Sequence, residues 1–185
     1  MGVTRTPRGT WIEEGLRALA AGGPDAVRIE PLAQALGVSK GGFYGYFRNR
    51  AALLDEMLDT WEREVTEAVI DQVESGGGDG RVRLDRLFTI VEAADGPATG
   101  TPVDLAIREW ARRDEAVAER LRRTDNRRME YLRALYRDFC PDEDDVEFRS
   151  LVTFSLRIAT PLIAADHAGR TPAEMMELTT DWLLR

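Results

Sequence analysis

Gly37 constrains the fold of this chain more than any other residue. It stands four positions after Ala33 and six before Phe43, inside the stretch ALGVSKGGFYGYF, residues 35–47. A glycine closing an apolar, helix-periodic segment takes the left-handed backbone conformation that ends a helix. Ala33, one turn earlier, is small enough for a second helix to approach closely. Val38 is expected to plug the space between the two helices, and the Ser39 hydroxyl to cap the second one. Phe43 and Phe47, four apart, then point back into a core. This is the spacing of a helix-turn-helix, over about residues 28–47.

Helical periodicity continues through most of the chain. Trp11, Ile12, Leu16, Leu19 and Ala20 share one side of residues 9–21, and Gly22-Gly23-Pro24 ends that segment. Segments 30–36 and 40–46 follow, then a long helix from Ala51 to Val73, closed by the loop from Ser75 to Gly80. Further helices are expected at 81–95, 102–111, 114–139, 143–167 and 172–184. Their breaks are Gly96-Pro97, Arg113-Asp114, Cys140-Pro141 and the stretch from Gly169 to Pro172. No Asn-Gly hairpin turn and no sustained alternation marks a strand. The expectation is an all-α chain of about nine helices. A three-helix N-terminal domain takes residues 1–50, and a larger helical body takes residues 51–185.

The formal net charge of −8 by itself argues against a polyanionic partner. The distribution of charge says the opposite. Residues 1–50 hold seven basic side chains (Arg5, Arg8, Arg17, Arg28, Lys40, Arg48, Arg50) against four acidic ones (Glu13, Glu14, Asp25, Glu30), while the remainder carries −11. A polyanion is attracted to the first fifty residues and repelled elsewhere. No apolar run reaches the roughly 18 residues a membrane span needs, so no membrane partner is expected. The N-terminus, MGVTRTPRGTW, lacks the apolar region of a secretory signal. Cys140 is the only cysteine, which suits a reducing cytoplasm.

Residues 40–46 make a poor helix on their own. Gly41, Gly42 and Gly45 together cost about 2–3 kcal/mol against alanine, so packing must hold the segment. What the missing side chains provide is close approach of the backbone to a phosphate or a base edge. Lys40, the only lysine, is placed to neutralise a phosphate. Tyr44 and Tyr46 offer hydroxyls to phosphate or base. Arg48 and Arg50 flank the start of the next helix, and Arg28 precedes the previous one. The candidate DNA-binding set is therefore Arg28, Ser39, Lys40, Gly41, Gly42, Tyr44, Tyr46, Arg48 and Arg50, with the second helix offered to the major groove.

On these residues, positions 8–58 resemble the DNA-binding domain of the TetR family of transcriptional regulators. The matching pieces are Ile12 to Ala20, IEPLAQALGVSKGGFYGYF and NRAALLDEML. The resemblance implies an N-terminal DNA-binding domain joined to a helical regulatory and dimerising domain. It implies a regulator, a repressor, that binds a near-palindromic double-stranded DNA operator as a homodimer and responds to a small-molecule effector. Such a protein is expected in the cytoplasm, on the nucleoid when bound to DNA. Matched by position, Lys40, Tyr44 and Arg50 fall where the family contacts phosphates, and Gly42 and Tyr46 where it faces bases. This chain departs from the family at three of these places, which often carry threonine or serine at 42, histidine at 46 and lysine at 50. With Gly42 bare, specificity is expected to rest on Tyr46, Arg28 and DNA shape. The alternative is a helical interaction or small-molecule-binding module of the same fold without DNA; Lys40, Arg48 and Arg50 count against it.

The C-terminal body is less explicit. Residues 146–165, VEFRSLVTFSLRIATPLIAA, are apolar almost all round. A helix apolar on two sides is buried on both, either by its own core and a partner or by one core alone, and periodicity does not separate these. Pro161 is expected to kink it. The candidate dimer seam is Phe154, Ile158, Leu162 and Ala165 with Met175, Leu178 and Trp182. Candidate effector contacts are Trp61, Phe88, Arg108, Trp110, Met129, Leu132, Tyr136 and Phe154. The arginine run from Arg112 to Arg137 reads as a solvated helix face, because Glu109–Arg113, Glu119–Arg123 and Asp125–Arg128 have pairing spacings. Asp142 to Asp145 suit a helix start behind Pro141 and need no metal. No cofactor and no metal is expected. His167 and Cys140 have no partners in sequence, and no nucleophile elbow, zinc-binding or Walker pattern occurs, so no catalysis is expected.

Overall fold

The computed structural model describes residues 7–94 and 96–185. Arg5, counted above among the head's cations, lies outside the described residues. The described residues form α1 (Arg8–Gly22), α2 (Ile29–Ala35), α3 (Lys40–Phe43), α4 (Arg50–Val65), α5 (Glu67–Ser75), α6 (Gly80–Glu92), α7 (Thr101–Ala111), α8 (Glu115–Arg137), α9 (Glu143–Ala159) and α10 (Pro172–Leu183). Short 3-10 turns occupy Pro24–Ala26 and Thr160–Leu162. No strand is present among them; His167 and Arg170 form an isolated bridge. The chain is all-α, as its periodicity indicates.

Every expected segment contains a helix with limits shifted by one or more residues, and three of the departures are informative. The long fourth helix breaks at Thr66, where φ is −121° and ψ −82°. The Thr66 hydroxyl donates to the carbonyl of Glu62, one turn back, a bond that competes with the helical ladder. The segment 40–46 keeps helical form only to Phe43; Tyr46 and Phe47 N–H groups both donate to the Phe43 carbonyl, at 2.9 and 3.0 Å. The expected kink at Pro161 is instead an end, because a proline ring supplies no backbone donor to continue the ladder. Ala165 therefore lies beyond the helix.

Packing groups the chain into two units. The first comprises residues 7–67 and 96–124 of those described, with α7 laid against α1. Its core joins Trp11, Leu16, Leu19, Leu32, Phe43, Phe47, Leu53, Met57 and Trp61 to Val103, Ile107 and Val117. Arg120 adds a polar tie, donating to Asp59 and, at 2.6 Å, to Glu62. The second unit comprises residues 68–94 and 125–185, built around Val73, Leu84, Leu132, Leu135, Tyr136 and Val146. There Arg83 bridges Glu74 and Asp138, the Tyr131 hydroxyl donates to Glu74 at 2.6 Å, and Arg86 donates to the Val73 carbonyl at 2.6 Å.

The three arginine pairs expected from spacing are formed. Arg113 pairs with Glu109 at 2.5 Å, Arg123 with Glu119 at 3.6 Å and Arg128 with Asp125 at 3.6 Å. Two helix starts of the second unit are capped by neighbouring side chains. Asp142 accepts from the Asp145 N–H at 3.0 Å, and Thr171 and Glu174 form a reciprocal capping box.

Gly80, the first residue of α6, is glycine because of space. A Cβ there would lie 2.3 Å from the Leu135 carbonyl oxygen and 2.6 Å from the Asp138 Cβ. Gly80→Ala is therefore expected to destabilise by about 2–3 kcal/mol, since α8 backbone must move. Urea unfolding measures this; an unchanged midpoint would show that α6 and α8 have slack the packing does not contain.

Candidate nucleic-acid interface

The turn after α2 closes as Gly37 demands. Its φ is +66°. The Val38 N–H donates to the Ala33 carbonyl at 2.9 Å, and the Gly37 N–H to that of Gln34 at 3.1 Å. These two bonds satisfy the last carbonyls of α2 and turn the chain toward α3. Phe43 and Phe47 are buried and stack on each other, with centroids 5.2 Å apart. Trp11 of α1 meets Phe43 edge-on at 5.5 Å. A four-residue helix has no cooperativity of its own, so this aromatic cluster holds α3 in place.

One sequence expectation fails locally. Ser39 occupies the position before α3 with suitable extended dihedrals, but its hydroxyl makes no capping bond. Its carbonyl accepts from the Gly42 N–H at 2.9 Å instead. The tight i to i+3 closure of so short a helix uses the backbone oxygen and leaves the side chain exposed.

The outward surface of α3 is thin. Gly41 and Gly42 are exposed. A Cβ on Gly41 would meet nothing nearer than the Ser39 hydroxyl at 3.6 Å, and one on Gly42 nothing nearer than Trp11 at 3.9 Å. Both are ordinary contacts, so the chain's own packing does not require glycine at either place. Tyr44 is exposed, its ring edge-on to Phe43 at 5.3 Å, whereas Tyr46 is half-buried against the core.

The cations of the head divide by their partners. Arg28 and Arg48 are exposed and make no side-chain hydrogen bond or ion pair among the described residues. Lys40 pairs with Glu30 across the turn. Arg8 pairs with Glu56 and lies 5.1 Å over the Phe47 ring; Arg17 pairs with Glu14 at 2.8 Å. Arg50 is a clamp: its Nε donates to the Val27 carbonyl at 2.6 Å and its Nη2 to that of Pro24. It ties the start of α4 to the α1–α2 connection. Sequence reasoning had no signal for this, because the acceptors are backbone carbonyls. It also passed over Asn49, whose Oδ1 caps α4 by accepting from Ala52 N–H at 2.9 Å. An asparagine just before an apolar-periodic run was the available signal.

The effector candidates are divided between the two units. Trp61, Arg108 and Trp110 belong to the first unit, where Arg108 is held by Asp104 at 2.8 Å. Phe88, Met129, Leu132, Tyr136 and Phe154 belong to the second. Tyr136 is fully buried, its hydroxyl 2.7 Å from that of Thr153, and burial pushes its pKa up to about 12. Burial likewise pushes the Cys140 thiol up. Among the described residues no group of three His, Cys, Asp or Glu side chains is placed to hold a metal, and no helix is long and apolar enough to cross a membrane.

Of the seam candidates, Leu162, Ala165, Leu178 and Trp182 are exposed, Ile158 and Met175 half-buried, and Phe154 packs against the second unit's core. Phe148 and Leu151, absent from the expected set, are exposed instead. Phe148 meets Trp182 edge-on at 6.1 Å, so exposed apolar side chains of α9 and α10 meet at this point of an α9–α10 stripe.

Residues 12–57 match the sequence model of the bacterial regulatory proteins of the tetR family. No curated protein matches the chain. Solved structures share its fold over nearly its full length. A transcriptional regulator from Rhodococcus sp. Rha1 is 20% identical, with 97% of this chain and 94% of that chain covered and a TM-score of 0.72. The fatty acid degradation regulator FadR from Bacillus halodurans is 16% identical, with 98% and 97% covered and a TM-score of 0.70. A TetR/AcrR-family regulator from Thermobifida fusca is 18% identical, with 96% of each chain covered and a TM-score of 0.63. At these identities the likeness is one of fold. The chain thus shares the fold of these regulators, and its residues 12–57 match the family's N-terminal domain.

Proposed function

We propose that this chain, starting from its TetR-type N-terminal domain, is a ligand-responsive repressor that binds a near-palindromic operator as a homodimer. Residues 1–50 bind DNA; residues 51–185 take up a small-molecule effector and pair the two copies. One observation carries this reading: α3 is locked from beneath by Trp11, Phe43 and Phe47, while its outer surface is bare glycine flanked by Tyr44 and cations. Glycines that no internal contact requires are suited to an external surface that comes close to the backbone.

The division of the cations refines the expected contacts. Arg48 and Lys40 reach phosphates, Tyr44 places its hydroxyl at a phosphate, and Tyr46 and Arg28 meet base edges. Arg50 acts by fixing the start of α4 and offers only what its clamp leaves over. The α9–α10 stripe pairs two copies, setting two α3 segments about 34–36 Å apart or somewhat more, in successive major grooves. An effector shifts this arrangement only by its preference for one state over another.

The test is selection of bound sequences from random duplex DNA by the purified protein. A pair of inverted half-sites is expected. Recovery of the starting pool unchanged would end the operator reading and favour a helical module that does not bind DNA.

A further inference from the structure

Lys40 and Glu30 form an ion pair across the two helices of the motif, Glu30 coming from the first turn of α2. Both side chains face solvent, 50% and 64% exposed. The Lys40 ammonium, and then the residue's own backbone N–H, hold the Glu30 carboxyl below the usual carboxylate range, so it stays ionised. An exposed pair of this kind adds little to stability, and Leu32, Ala33 and Phe43 hold α2 against α3 without it. The pair sits beside the glycine surface, where any polyanion docking on α3 must meet it. Arg28 adds a weaker coulombic pull on the same carboxylate, and neither Arg28 nor Arg48 forms an ion pair among the described residues.

We propose that Glu30 limits the affinity of the DNA surface: its carboxylate occupies Lys40 in the free protein, and a DNA phosphate has to displace it. This rests on the reading of α3 as the DNA-contacting element. Its consequence is selective. Phosphate contacts carry no sequence information, so a carboxylate competing for one of them lowers binding to all duplexes alike and leaves base contacts untouched. Glu30 thereby restrains occupancy of random DNA without altering the preferred sequence.

The experiment compares the full chain with Glu30→Gln and Glu30→Ala, titrated into a fluorescent duplex of random sequence at several salt concentrations. Both variants are expected to bind about three- to tenfold more tightly at low salt, the size expected when one screened like charge is removed near a phosphate. The slope of log K against log salt is expected to steepen by about 0.9 for each head engaged. Wild-type binding with both variants equal or weaker would overturn the inference and make Glu30 a prop that positions Lys40. Failure of all three proteins to bind the duplex at low salt would overturn the DNA reading itself, and this inference with it. Binding by the variants alone would support both.

Discussion

Phe43→Ala is expected to destabilise the N-terminal unit by about 3–5 kcal/mol and to abolish DNA binding. Phe43 is fully buried, contacts Trp11 and Phe47, and is the only buried residue of α3. Removing the ring leaves a cavity beneath a helix of four residues that includes two glycines. Such a segment has no propensity with which to survive the loss. Urea unfolding followed by tryptophan fluorescence reports the change, since the Trp11 ring lies 5.5 Å from that of Phe43. Phe43→Leu, which fills most of the space, should retain measurable binding. A cost below about 1 kcal/mol for the alanine variant would mean that something other than the aromatic cluster holds α3.

Replacing Leu151 and Leu178 together by glutamate is expected to convert a dimer to a monomer and to weaken operator binding by at least about a hundredfold. The two leucines lie on α9 and α10 and are 54% and 47% exposed, so their loss leaves the core around Tyr136 and Val146 intact. Two buried charges per copy would oppose any seam formed by the stripe. A monomer then loses the second half-site, which is where the larger loss in DNA affinity arises. Light scattering gives the mass, and circular dichroism checks that helix content is kept. A dimeric double variant would place the partner surface elsewhere on the chain.

The sequence carried the helix-turn-helix well because its determinants are local and stereochemical. Gly37 at a positive φ, Ala33 beside it and two phenylalanines one turn apart leave little freedom for the chain between them. The arginine pairs of α7 and α8 were legible for the same reason, since partners three or four residues apart on a helix meet by geometry. The site's electrostatics were not. Glu30 lies 10 residues from Lys40, and the Arg50 acceptors lie 23 and 26 residues away and are carbonyls that every residue possesses. A count of charges finds seven cations in the first fifty residues, but it does not reveal which of them are occupied. The break at Thr66 was hidden because a hydroxyl bonding back to a carbonyl leaves the apolar period on either side unchanged. On α9, periodicity found two apolar sides without saying which one the core takes. Packing gives Phe154 to the core and leaves Phe148 and Leu151 outside.

The proposed DNA binding requires a cationic head that neutralises phosphates while the rest of the chain is repelled by them. The most direct measurement is the salt dependence of binding by the unaltered protein to a duplex carrying the selected sequence. If each head of a dimer engages three or four phosphates, log K should fall against log salt with a slope of about −5 to −7. A slope near zero would mean that no phosphates are neutralised, and the assignment of α3 and its cations to DNA would be wrong.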